Sequence, residues 1–367
     1  MSNRSARQAP IVRLPPKSNA ELFLQRGAQV ALVGIGMVAF LFVLHAGEYI
    51  LAPISLGIVV GLMLGPVASR LERRRIPPGL SAAIVVLLFI VLVVGIAAAI
   101  AAPLAEWVAR LPQIWAELQI QLSGWKQPLD AIRAAREEIR QATGGSGVTV
   151  SVADGSAVES MAIFAPALIA QILLFFASLY FFVATRHQTR IAVLKLCLDR
   201  RLRWRTAHIF RDVEQFVSRY LLSITLINVF EGVAVGIGLF IIGVPSAALW
   251  AAIAAITNFV IYIGPVVTTA MLFAVGLAEF DTLGGSLLPP AIYLAINAVE
   301  AQIVTPLVIG RTMTLNPFVV LLALAFWIWL WGPLGGFIAI PALLIVYAIL
   351  RNIVPAGDWS SPSAERL

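Results

Sequence analysis

Apolar and polar positions fall along this chain in long blocks. In the N-terminal half, apolar runs cover about Ala28–Leu44, Ile50–Val67, Leu80–Ala102 and Ala162–Val183. Four more follow, at about Leu221–Ile242, Ala247–Leu277, Leu287–Val304 and Val319–Leu350. Several reach the ~20 residues that a spanning helix needs. Barrel strands would alternate with period two, and these runs do not. The pattern predicts an all-α polytopic membrane protein with about eight transmembrane helices, counted at one per ~20 apolar residues.

The second and fourth of the later runs are too long for simple crossings. Each carries a breaker, Gly264-Pro265 in one and Gly332-Pro333-Leu334-Gly335-Gly336 in the other. Proline inside a helix removes a backbone hydrogen bond and clashes with the preceding turn. Irregular backbone at membrane depth survives only where protein or water covers it. Broken or re-entrant helices are therefore expected here, ahead of tilted, kinked ones. Transporters use such breaks to bind substrates near the midplane.

Two polar segments interrupt the runs. In 103–160, Leu104, Trp107, Leu111, Ile114, Leu118, Leu122, Trp125, Leu129 and Ile132 recur at spacings of three and four. They share a helix face, which Pro112, Gly124 and Pro128 divide into two or three short helices. That face packs on the protein's own spans or on neighbouring subunits. In 186–219, Ile191, Leu194 and Leu198 share one face, and Ile209, Val213, Phe216 and Tyr220 another. This segment is basic and amphipathic, suited to the lipids of the inner leaflet. The expected division is a disordered cytoplasmic tail (1–27), three spans (28–102), an external helical segment (103–160) and a fourth span (161–185). The basic segment (186–219), a transport core (220–353) and a C-terminal tail (354–367) complete it.

Charge sets the expected orientation. Arg4, Arg7, Arg13, Lys17 and Arg26 precede the first span, and Arg70, Arg73, Arg74 and Arg75 follow the second. The segment after the fourth holds nine more basic residues, from Arg186 to Arg219. If the spans alternate, all three clusters share one side, which is the cytoplasm. The N-terminus is then cytoplasmic, the membrane is the inner one, and 103–160 lies outside. Composition agrees with the class: 60% of residues are apolar and 12% charged, with mean hydropathy +0.92, against about 45–50% and 25% in soluble domains. The net charge of +7 flanks spans instead of forming a separate basic domain, which argues against nucleic acid. A single cysteine, Cys197, excludes an intrachain disulfide and reads as structural.

Few residues carry candidate chemistry. Glu300 sits in an apolar stretch, where a charge costs roughly 2.5–3.5 kcal/mol on insertion scales and usually faces a cavity or a partner. Asn228 and Glu231 lie three apart on one helix face. Asn297 and Glu300 repeat the same Asn-x-x-Glu spacing. Turned inward, the two faces could share protons or coordinate a cation, or simply hydrogen-bond between helices. Gly57, Gly61 and Gly65, and again Gly232 and Gly236, have the spacing of close helix packing. His45 and Glu48 fall at a span's end. The other histidines, His187 and His208, flank basic loops. No HExxH motif is present, and the glycine run 143–147 lacks the Lys-Ser/Thr pair of a phosphate loop. Neither an enzyme, a cofactor nor a metal is called for.

The C-terminal half resembles a known family. Asn258-Phe-Val-Ile-Tyr-Ile-Gly-Pro265 is similar to the first signature of the autoinducer-2 exporter family, the PerM-like permeases. Glu300-Ala-Gln302-Ile-Val-Thr305-Pro306-Leu-Val-Ile-Gly310-Arg311, with Leu315-Asn-Pro317, resembles the second, and Gly332–Pro341 the third. Ile261, Gln302 and Asn316 depart from the family's usual proline, asparagine and histidine. The resemblance implies secondary transport or facilitated efflux across the cytoplasmic membrane, with export of autoinducer-2 in some members and sodium or lithium/proton antiport in others. It also implies a homo-oligomer, with pentamers described.

The expected function is export of a small polar solute, with H+ or Na+ as the coupling ion and membrane lipids as surroundings. Asn228, Glu231, Asn258, Gly264, Pro265, Asn297, Glu300, Gln302, Thr305, Pro306, Gly310 and Arg311 are expected along its path. The rival readings are a Na+(Li+)/H+ antiporter and a scaffold that binds envelope partners through the external helices.

Overall fold

The structure is a computed structural model that describes residues 19–123, 157–280, 282–309 and 316–353. Among these residues every regular element is helical. Seven helices are long and apolar enough to cross a membrane, and two shorter apolar ones accompany them. The chain is thus an all-α polytopic membrane protein. It divides into two compact units, Met1–Glu48 and Tyr49–Leu367.

The first unit holds helix α1 (Asn19–Ala46). It starts upstream of the expected boundary at 27 because no proline or glycine interrupts residues 19–26. Residues 1–18 of the expected tail lie outside the described residues.

The second unit begins with α2 (Glu48–Glu72) and α3 (Pro78–Ser123). The expected boundary at Pro103 falls inside α3, which passes through Pro103 and Pro112 without a break. Packing outweighs the two prolines: Trp107 and Ile114 are buried in a core cluster with Val235, Leu249, Trp250 and Val275. Residues 124–156 of the segment expected to be external lie outside the described residues. Next come α4 (Ala157–Leu196) and α5 (Arg200–Ile241). The basic segment is therefore the end of one helix and the beginning of another, with buried Cys197 between them. The 42 residues of α5 extend well beyond the ~30 Å of hydrocarbon. Gly57, Gly61 and Gly65 turn to α4. A side chain at Gly57 would meet the Phe175 carbonyl at 2.8 Å, and one at Gly61 the Phe182 ring at 2.5 Å.

Helices α6 (Ala247–Thr257) and α7 (Ile263–Glu279) form a hairpin. The hydroxyls of Thr257 and Thr268 lie 2.6 Å apart, whereas eleven residues of straight helix would separate them by about 16 Å. The outer ends agree. Trp107 of α3 packs on Trp250 near the start of α6, with ring centroids 5.2 Å apart. Arg110, one turn on, pairs with Glu279 at the end of α7 at 2.9 Å. The chain therefore enters and leaves at one end of α3. Gly264 makes the fold-back possible, because any Cβ there would overlap the Thr257 carbonyl.

After a short turn, α8 (Leu283–Ser286), comes α9 (Leu288–Val299). It passes through a π-turn (Glu300–Val304) into α10 (Thr305–Ile309). The last helix, α11 (Pro317–Ile353), is interrupted at Trp331 and Gly332. Gly332 has φ 58° and ψ −143°, a region open essentially to glycine alone. A Cβ at Gly335 would overlap the Trp327 carbonyl, so the second half folds back beside the first. Val320 and Leu344, from the two halves, share one core cluster with Val217 and Leu221 of α5. Asn352 reaches Asp212 of α5 at 3.0 Å.

These are two opposed hairpins, one open toward the Trp107 end of α3, the other toward the basic half of α5. Their tips meet. Phe259 stacks on Phe337 with centroids 5.7 Å apart and planes at 29°. A side chain at Gly336 would touch Val260 at 2.9 Å.

Candidate functional site

Helix α6 ends at Thr257, and the chain turns through Asn258–Tyr262 before α7 resumes. Tyr262 holds φ 66°, an uncommon value outside glycine. Pro265 is in the first turn of α7, where its missing N–H breaks no helical bond. The break thus lies just ahead of the Gly-Pro pair, and the pair starts the next helix. Pro265 and Leu294 line an apolar cavity of about 710 Å³ between α7 and α9.

Asn258 sits at the hairpin tip, 7% exposed. Its Nδ2 donates to Glu231 Oε2 and, at 3.2 Å, to Asn228 Oδ1. Asn297 Nδ2 of α9 donates to Glu231 Oε1 at 2.9 Å. Both carboxyl oxygens of Glu231 are therefore held by carboxamides from two other elements. Glu231 and Asn228 are both buried. Asn228 Nδ2 is a buried donor without a partner among the described residues, an uncommon condition in native interiors.

The two Asn-x-x-Glu faces do meet, but crosswise. Asn297 serves Glu231, while Glu300 accepts from Thr305 Oγ1 across the π-turn. The π-turn inserts one residue into the helix, a device frequent at functional sites. Glu300 is buried there, and it shares a cavity of about 450 Å³ with Glu231, Ile227, Phe230 and Val304. Among the described residues, no lysine or arginine lines that cavity.

The remaining expected residues separate. Gln302 and Pro306 are exposed, on the outer face of the π-turn and α10. Gly310 and Arg311 lie outside the described residues. The sequence reading passed over Thr257, Thr268 and Tyr293. The two threonines clasp the hairpin behind Asn258, and fully buried Tyr293 lies near Thr268 and Glu231. Their signal was available: all three are hydroxyl-bearing residues inside apolar runs, beside the residues already singled out.

The family model described as "AI-2E family transporter" matches residues 35–355. The chain belongs to this transporter family. It is similar to "AI-2 transport protein TqsA" of Escherichia coli (strain K12), 26% identical over 335 residues, covering 88% of this chain and 91% of that one. It also resembles "Putative transport protein YhhT" of the same organism, 25% identical over 321 residues, 86% and 88% of the two chains. "Putative transport protein MT0215" of Mycobacterium tuberculosis is 26% identical over 335 residues, 90% and 89%. The chain is thus a multi-pass membrane protein of a family of transporters, which matches the resemblance read from its three signatures.

Proposed function

We propose that this protein is a secondary transporter or facilitator that exports a small, polar, uncharged solute across the inner membrane, with its N-terminus in the cytoplasm. One observation carries the reading: a buried carboxylate, Glu231, is held by Asn258 at a hairpin tip and Asn297 on a separate helix. A polar cluster at membrane depth is costly, and such clusters usually mark a solute or ion path. Carboxylates and carboxamides, with no basic residue among the described lining, suit a hydroxyl-rich solute and repel anions. The spare donor on Asn228 offers a contact to a solute oxygen. The similarity to TqsA, named as an AI-2 transport protein, makes an autoinducer-2-like polyhydroxy compound the first solute to test.

The tips of the two hairpins, joined at Phe259 and Phe337, close the space beside this cluster, and solute passes when they part. Thr305 sets the carboxyl of Glu300 toward the cavity it shares with Glu231. The flanking Gly264 and Pro265 fix the break. Gln302 and Pro306, exposed beyond Glu300, belong to the cytoplasmic approach. The resemblance supports assembly as a homo-oligomer, with a pentamer as the expected form.

Cation/proton antiport is the second reading, favoured by two carboxylates on one cavity. Proteoliposome flux separates the two. Uptake of an autoinducer-2-like solute without obligatory sodium or lithium movement supports the first. Sodium-driven proton flux in the absence of any solute supports the second.

A further inference from the structure

A separate cavity of about 500 Å³ opens between the C-terminal part of α2 and the middle of α5. Pro66, Arg211, Gln215, Ser218, Arg219 and Leu222 line it. Arg219 is some 18 Å along α5 from Glu231, so this cavity is distinct from the transport cluster.

Its charges are unbalanced. Arg219 is exposed and forms no ion pair among the described residues. Arg211 is 62% exposed and approaches only its neighbour Asp212, at 3.7 Å. The other oxygen of Asp212 accepts from Asn352 of α11. The acid in the wall, Glu214, lies by Gly65, beside the Arg186 guanidinium. Arg186 itself donates to the Gly65 carbonyl at 2.5 Å and to Glu72 at 2.8 Å. Arg186 is thus engaged by Glu72, Glu214 forms no ion pair among the described residues, and Arg211 and Arg219 outnumber it in the wall.

Its position is amphipathic as well. The apolar run of α5 begins at Leu221, so Arg219 stands at the hydrocarbon edge, with Leu222 and Pro66 forming an apolar wall. Arg211 is two turns further out, about 12 Å along the axis. A soluble anion would use the arginines and leave the apolar wall bare. A phospholipid uses both: its phosphodiester meets the guanidinium forks and the start of its acyl chains lies on Leu222.

We infer that this cavity seats the headgroup of an anionic phospholipid, clamped by Arg211 and Arg219 and pinning α5 to α2. Basic pockets between transmembrane helices are suited to such headgroups.

The test uses the purified full-length protein in neutral detergent, with lipid adducts counted by native mass spectrometry. Phosphatidylglycerol is titrated against phosphatidylcholine and against sn-glycerol 3-phosphate. Saturable retention of one phosphatidylglycerol per chain is expected, about tenfold weaker in Arg211→Gln/Arg219→Gln and unchanged in Arg200→Gln/Arg201→Gln. Ser223 also lines the cavity, so Ser223→Trp, which fills it without changing charge, should lower retention as well and serves if the double variant is not recovered. Equal retention of phosphatidylcholine overturns the inference, as does equal loss in the Arg200/Arg201 control. Saturation by sn-glycerol 3-phosphate alone overturns it in favour of a soluble-anion site. Full retention in Ser223→Trp also contradicts it.

Discussion

Asn297 Nδ2 donates to Glu231 Oε1 at 2.9 Å, joining α9 to α5 across the interior of the second unit. With Asn258 on the other carboxyl oxygen, Glu231 is fixed from two sides. One side is a helix that continues into a π-turn, the other the tip of a hairpin. A shift of either element must break a hydrogen bond to a buried carboxyl, which couples backbone movement to the state of the site.

Asn297→Leu should therefore impair transport more than folding. Interhelical hydrogen bonds in membranes are worth about 0.6 kcal/mol on average, with about 1.7 as the upper end. A drop of a few degrees in the unfolding midpoint in detergent is expected, with a marked loss of solute flux in proteoliposomes. Unchanged flux at wild-type expression would detach Asn297 from the path.

The fold-back at each tip needs a glycine where the backbones touch, Gly264 in one and Gly335 in the other. Gly264→Ala and Gly335→Ala would each press a methyl into a backbone carbonyl. Overpacking of this kind costs about 1–3 kcal/mol, occasionally more. Gly95→Ala has open space and should be neutral or stabilising, since alanine gains about 1 kcal/mol over glycine in a helix. Thermal unfolding in detergent ranks the three. A Gly264→Ala protein as stable as Gly95→Ala would mean that the hairpin is looser than described.

The fold class was legible because long apolar runs follow from the thickness of a bilayer. The breaks were legible too, because Gly-Pro and Gly-Pro-Leu-Gly-Gly interrupt runs too long to be single crossings. Their form was not. That Thr257 meets Thr268, or Phe259 meets Phe337, depends on tertiary fold-back that no local pattern encodes. The Asn-x-x-Glu spacing marked the residues that meet, but helix phase alone could not reveal that Asn297 would serve Glu231 while Glu300 turned to Thr305. A π-turn leaves no periodic signal, and it is what turns Gln302 outward. At Pro103 the local rule and the packing disagree, and the buried faces of Trp107 and Ile114 decide it.

The hairpins should open to opposite sides of the membrane. In a Cys197→Ser background, Thr282→Cys should react with an impermeant thiol reagent in intact cells, whereas Asn316→Cys should react only after permeabilisation. This follows from the cytoplasmic side assigned to the basic clusters. The reverse pattern would invert the orientation, and labelling of both from outside would contradict the opposed hairpins.

If transport requires the tips to part, joining them should stop it. A Val260→Cys/Gly336→Cys pair brings two Cβ atoms within reach of a disulfide. In the same cysteine-free background, oxidation should abolish flux and reductant should restore it. Flux that persists in the fully oxidised protein would place the path elsewhere.

The central claim is that the Glu231 cluster lines the path of the solute, and counterflow in proteoliposomes tests it most directly. Glu231→Gln keeps the shape and one acceptor, so one of the two hydrogen bonds loses its charge and the other donor faces an NH2 group. Hydrogen bonds to charged groups are worth about 1.5–3 kcal/mol each, so exchange of a labelled autoinducer-2-like solute should fall about tenfold or more, with the protein folded and inserted as before. Wild-type exchange by correctly inserted Glu231→Gln protein would contradict the account.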